Sequence, residues 1–104
     1  MDGDYEVVLS GKITGDPEYR RRFAELLVRV RCRWHGAKVW NPGELEDGRE
    51  YLWYMRRCLD VIMNRCRPGA RIVRMRGWHR SAGAVAEWAV ARCFGLEVVD
   101  ERDV

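Results

Sequence analysis

Four short apolar runs, separated by three stretches of helical period, constrain this chain more than any other feature. The runs fall at residues 5–9, 37–40, 71–75 and 96–99, each the length of a strand and bounded by glycine or by polar turn residues. After the first run, Asp16-Pro17-Glu18 offers a capping side chain and a proline suited to the first helical position. Phe23, Leu26, Leu27, Val30 and Trp34 then recur at helical spacing until Gly36. Residues 49–65 carry Leu52, Met55, Leu59 and Ile62 on one stripe that Cys66 continues just beyond, and Pro68-Gly69 closes them. Residues 81–94 form the third helix, with Val85, Trp88, Ala89 and Cys93 expected inward and Gly95 as the stop.

Strands alternating with helices over short connections require right-handed crossovers, hence parallel strands with helices on both faces. The expected fold is α/β, one open parallel sheet of about four strands flanked by helices, flavodoxin-like or Rossmann-like. The first and third strands should then be neighbours at the switch point, where the direction of the connections reverses. Arginines interrupt Ile72, Val73 and Met75 in the third run, which therefore reads as a partly exposed or edge strand. A length of 104 residues with 47% hydrophobic content suits one domain, 1–104, able to bury a core without disulfides or metal. Residues 100–104 read as a frayed tail.

Composition narrows the function classes. The formal charge is +3, because 16 acidic residues offset 19 basic ones, of which only Lys12 and Lys38 are lysine. So small a surplus, without a recognisable module, argues against a dedicated nucleic-acid binder. Cys32, Cys58, Cys66 and Cys93 form no C-x-x-C pair, and His35 and His79 complete no zinc spacing, so no metal is expected and the cysteines read as mostly small buried hydrophobes. No leader-like segment opens the chain and no apolar run approaches the ~20 residues of a membrane span. The expectation is a cytoplasmic protein with no membrane partner and no cofactor. Five tryptophans in so short a chain leave apolar surface that a second copy, in a homodimer or higher homo-oligomer, would cover.

Two glycine turns carry the chemistry. Ser10-Gly11-Lys12-Ile13-Thr14-Gly15 follows the first strand, and Gly77-Trp78-His79-Arg80-Ser81-Ala82-Gly83-Ala84-Val85-Ala86-Glu87 follows the third and opens the last helix. Small residues at a helix start leave backbone N–H groups open to an anion or a sugar, at the positive end of the helix dipole. If strands one and three are neighbours, both turns face one crevice, with the turn-rich loop from Asn41 to Gly48 at its edge. Glu87 is the only carboxylate between residues 61 and 96. By itself it reads as a helix carboxylate paired with an arginine. Trp78 either caps the core or stacks on a ligand, and the Arg20-Arg21-Arg22 cluster reads as a solvated helix face or as a means of steering an anion.

The order of these pieces resembles the nucleoside 2-deoxyribosyltransferase superfamily, most closely its small, largely uncharacterised phage and bacterial branch. The matching pieces are Ser10-Gly11-x-Ile13-Thr14-Gly15, Asn41-Pro42-x-Glu44-Leu45, Tyr54-Met55-Arg56-Arg57-x-Leu59, and Gly77-Trp78-x-x-Ser81-x-Gly83-Ala84-x-x-Glu87-x-x-x-Ala91. The resemblance implies N-glycosidic chemistry on a nucleoside or nucleotide, either transfer to another base or hydrolysis, with Glu87 as the nucleophile at the anomeric carbon. A carboxylate suits an oxocarbenium-like transition state, as in retaining glycosidases. The resemblance also implies that Ser81, Gly83 and Ala84 hold a 5′-hydroxyl or 5′-phosphate. Ser10, Gly11, Ile13, Thr14 and Gly15 would wrap the sugar, Asn41 would stand at the loop beside it, and Trp78 would stack on the base.

The chain departs from the family's pattern at three places. Active relatives carry an aspartate on the second helix where this chain has Cys58, and Asp60, two residues on, points roughly 200° away around the axis. Asp60 instead reads as an ion pair with Arg56 or Arg57. A tyrosine that positions the nucleophile in relatives is Val8 here, and Arg65, Cys66 and Pro68-Gly69 replace a Cys-Asp pair before the third strand. These losses open the alternative of a non-catalytic nucleotide-binding or sequestering module. No histidine stands in sequence to activate Cys58 as a nucleophile.

Overall fold

The computed structural model describes residues 5–104. Its strands are β1 (Tyr5–Ser10), β2 (Val39–Trp40), β3 (Cys66–Arg74) and β4 (Glu97–Asp100), and its helices are α1 (Tyr19–Arg33), α2 (Tyr51–Asn64) and α3 (Ala82–Cys93). All strand pairs are parallel and the order is β2-β1-β3-β4. This is a flavodoxin-like, Rossmann-like open sheet, with β1 and β3 adjacent where the chain reverses its direction of travel. Period-two alternation along β1 divides the interior. Val7 and Leu9 face α1 and its Phe23, Leu26 and Val30. Val8 faces the other way, with Ile72, Val61 and Ile62 of α2 and Ala91 of α3.

β3 lies inside the sheet, between β1 and β4, and is not an edge strand, although it is partly exposed as its arginines suggest. Its arginines are tolerated there because the neighbouring strand neutralises them: Arg71 pairs with Glu97 at 3.3 Å and Arg74 with Asp100 at 2.8 Å. Their guanidinium groups also lie over Trp34 and Trp78. Cys66 pairs with Tyr5, yet Arg71 already pairs with Val7. Pro68-Gly69 therefore sits in an irregularity within β3 and does not close α2.

Two helices turn a different face inward from the one their large apolar residues suggest. On α2 the buried residues are Tyr54, Cys58, Val61 and Ile62, while Leu52 is 55% exposed. On α3 they are Gly83, Ala84, Glu87 and Ala91 rather than Val85, Trp88, Ala89 and Cys93. Small residues let α3 approach α2 closely: a Cβ added at Gly83 would stand 2.8 Å from Met55 Sδ. Cys32 and Cys93 are exposed, so only Cys58 of the four thiols is fully buried. Asp60 pairs with Arg65 and accepts from Asn64, not with Arg56 or Arg57.

α1 begins at Tyr19, after a turn in which Asp16 accepts the Glu18 N–H at 2.9 Å. The arginine triplet is tied down locally. Arg21 pairs with Glu18 and Glu25, Arg22 with Asp16, and Arg20 donates to the carbonyls of Gly43 and Leu45. Those last bonds clamp the loop after β2 onto α1. Asn41 supports the same loop, accepting the Gly43 N–H at 2.8 Å. Gly43 packs against Phe23 so tightly that an added Cβ would lie 2.7 Å from Phe23 Cβ and 3.0 Å from Asn41 Oδ1. Gly43→Ala is expected to cost about 1–3 kcal/mol through overpacking, read as a lowered denaturation midpoint. An unchanged midpoint would show that the loop shifts freely.

Candidate active site

Ser10 ends β1 on the same face as Val8, toward α2 and α3, and this placement builds the site. Ser10 is 1% exposed, and its hydroxyl donates to Glu87 Oε1 at 2.6 Å. Cys58 of α2 brings its thiol against the same carboxylate. Glu87 is only 4% exposed, and burial pushes its carboxyl up to about 7, although hydrogen bonds from Ser10 and Cys58 act to lower it. Burial, and then the charge of Glu87, push the Cys58 thiol far above its usual range, so it remains protonated. No arginine pairs with Glu87 among the described residues, which sets aside the reading of a surface ion pair.

A cavity of about 220 Å³ opens above this carboxylate. The turn after β1 supplies Gly11, Ile13 and Thr14 to its wall, and the mouth of α3 supplies Ser81, Gly83 and Ala84. The two glycine turns thus meet in one crevice at the C-terminal ends of β1 and β3, as the switch-point rule requires. Gly77, at φ +83°, makes the left-handed turn that redirects the chain from β3 toward α3. At the start of α3 the Ser81 hydroxyl accepts the Ala84 N–H at 3.3 Å.

Other expected residues stand elsewhere. Ser10 is the hydrogen-bond partner of Glu87 and does not line the cavity. Gly15 shapes the exposed end of its turn, and Asn41 is spent on the Gly43 amide. Trp78 lines a separate groove of about 620 Å³ with Met75, Arg76 and Arg102, its ring 4.0 Å from the Arg74 guanidinium and 5.3 Å from Trp88. Tyr51, Tyr54 and Met55 of α2 line the cavity instead. The Tyr54-Met55-Arg56-Arg57-x-Leu59 piece of the resemblance is the signal available for Tyr54 and Met55, although helical spacing by itself puts Met55 on the core stripe.

Among the described residues no group of three or more His, Cys, Asp or Glu side chains gathers as metal ligands, and no helix is long and apolar enough to cross a membrane. Fold and site together define a small doubly wound α/β domain whose crevice has one buried carboxylate at its floor. The chain belongs to the family described as a domain of unknown function, DUF4406, whose model matches residues 5–100. Neither a curated protein nor a solved structure matches it.

Proposed function

We propose that this protein binds a nucleoside or nucleotide in the crevice between the β1 and β3 turns and acts on its N-glycosidic bond through Glu87. The observation that carries the reading is the buried Glu87 carboxylate, held by Ser10 at 2.6 Å beneath a cavity walled by two small-residue turns. The resemblance to nucleoside 2-deoxyribosyltransferases in the order of those turns supports it. In the ionised form, a Glu87 oxygen attacks C1′ as the C1′–N bond breaks and its electron pair leaves with the base, which takes a proton from solvent. Water, or a second base, then attacks C1′, releases a proton to solvent and returns Glu87 as carboxylate. Ser10 orients the attacking oxygen, and the low polarity around it leaves the carboxylate poorly solvated and reactive.

The test is release of free base from deoxynucleosides and their 5′-monophosphates by purified protein. Release is expected to rise with pH through about 7, as Glu87 ionises, and to be lost in Glu87→Ala. Turnover that survives Glu87→Ala would remove the nucleophile assignment. Cys58 favours a second reading, a non-catalytic nucleotide-binding module. It offers a protonated thiol where active relatives carry an aspartate. In that case a nucleotide at 100 times its dissociation constant stabilises the fold by roughly 2.7 kcal/mol without being cleaved.

A further inference from the structure

We propose that the ring of Tyr51 is the surface on which the ligand's base stacks, so that α2, and not the turn carrying Trp78, holds the base. The proposal rests on the reading of the Glu87 cavity as a nucleoside site and names a binding residue within it. Among the described residues two aromatic side chains line this cavity, Tyr51 and Tyr54. Tyr54 is 5% exposed, and its hydroxyl is held between the Glu46 carbonyl and the Arg49 N–H. Tyr51, the first residue of α2, is 42% exposed. Its ring is also uncovered. A cationic side chain lies over each of Tyr5, Tyr19, Trp34, Trp53, Trp78 and Trp88, whereas among the described residues neither a cation nor another aromatic ring lies against Tyr51. Trp78, by contrast, stands in the other groove with the Arg74 guanidinium 4.0 Å from its ring.

Gly83 fixes where the Tyr51 ring stands. A Cβ at Gly83 would lie 3.2 Å from Tyr51 Oη and 3.3 Å from its Cε1, so the hydroxyl end of the ring reaches across the cavity to the first turn of α3. Glu87 is four residues further along α3, about 6 Å along the axis and on the same face of the helix. A base stacked on Tyr51 is therefore held about one helical turn above the carboxylate, beside the C1′ atom that the proposed reaction attacks. Stacking uses the π face that every base has and reads no base edge. The contact thus favours a nucleoside over a bare sugar without choosing among bases.

The experiment measures dissociation constants of the four 2′-deoxynucleosides for the parent protein and for Tyr51→Leu, Tyr51→Phe and Trp78→Leu. At about pH 5 Glu87 holds its proton, so the proposed cleavage does not consume the ligand. Tyr51 is exposed, so its variants are expected to fold with an unchanged denaturation midpoint. Leucine keeps apolar bulk but has no π face. Tyr51→Leu should weaken binding of all four by roughly 5- to 100-fold, whereas Tyr51→Phe and Trp78→Leu should stay within about twofold of the parent. Parent-like affinity in Tyr51→Leu would overturn the stacking role while leaving the nucleoside reading intact. A loss in Tyr51→Phe as large as in Tyr51→Leu would show a contact through the hydroxyl, and a loss confined to Trp78→Leu would return the base to the other groove; either result overturns the proposal. Absence of nucleoside binding by the parent removes the nucleoside reading and this role together.

Discussion

Replacing Glu87 with glutamine is expected to stabilise the protein at alkaline pH, and to abolish the base release proposed for it. The native carboxyl holds its proton up to about pH 7, whereas in the unfolded chain it titrates near its ordinary value of 4.5. Below that lower value both states are protonated and ionisation favours neither. Between the two values the unfolded chain gives up the proton and the native state keeps it, so stability falls with rising pH by about 1.4 kcal/mol per unit. Above about 7 both states are ionised, and the accumulated cost, on the order of 3 kcal/mol, stays constant. Glutamine keeps an oxygen for the Ser10 hydroxyl and carries no charge into the buried site. Denaturation curves of parent and Glu87→Gln should therefore nearly coincide at about pH 5 and separate in favour of the variant by about pH 8. Parallel behaviour at the two pH values would mean that the carboxylate is solvated in the native state. A residue that weakens the fold under the conditions where it is ionised is expected where function, not packing, requires it.

Truncation of Phe23 should give the largest loss of stability. The ring is fully buried and is the largest side chain sealed inside the protein, between the α1 face of the sheet and the loop after β2. Phe23→Ala is expected to cost about 3–5 kcal/mol, through lost transfer energy and the cavity left behind. That is a large share of the ~5–15 kcal/mol available to a domain of this kind. Because α1 is the helix that packs Val7 and Leu9 on this face, little else can collapse into the gap. A midpoint of chemical denaturation lowered by less than the equivalent of about 1 kcal/mol would show that the core repacks around the deletion. Phe23→Leu, which keeps most of the volume, should cost visibly less.

The parts of the fold legible in the chain were those set by local physics. Glycines and prolines punctuated the apolar runs, and alternation of strand and helix required a parallel sheet with β1 and β3 together. The face of α1 was legible, with Phe23, Leu26 and Val30 inward as their spacing requires, but those of α2 and α3 were not. Hydrophobic spacing pointed Val85 and Trp88 of α3 inward, but close packing against α2 favours a narrow face, so Gly83, Ala84 and Ala91 went in and carried Glu87 with them. β3 misled for a related reason. Arginine in a strand suggests exposure unless a partner strand brings carboxylates into register, and β4 brings Glu97 and Asp100.

The site divides along the same line. Sequence alone determined that two small-residue turns and one isolated carboxylate exist in this order, because turn chemistry and helix starts depend on neighbours along the chain. Only the tertiary structure decided that Ser10 donates to Glu87, that the Cys58 thiol lies against the same carboxylate, and that Trp78 lines another groove. Those outcomes depend on which face each strand and helix turns toward its neighbours. That choice is made by packing between elements far apart in sequence.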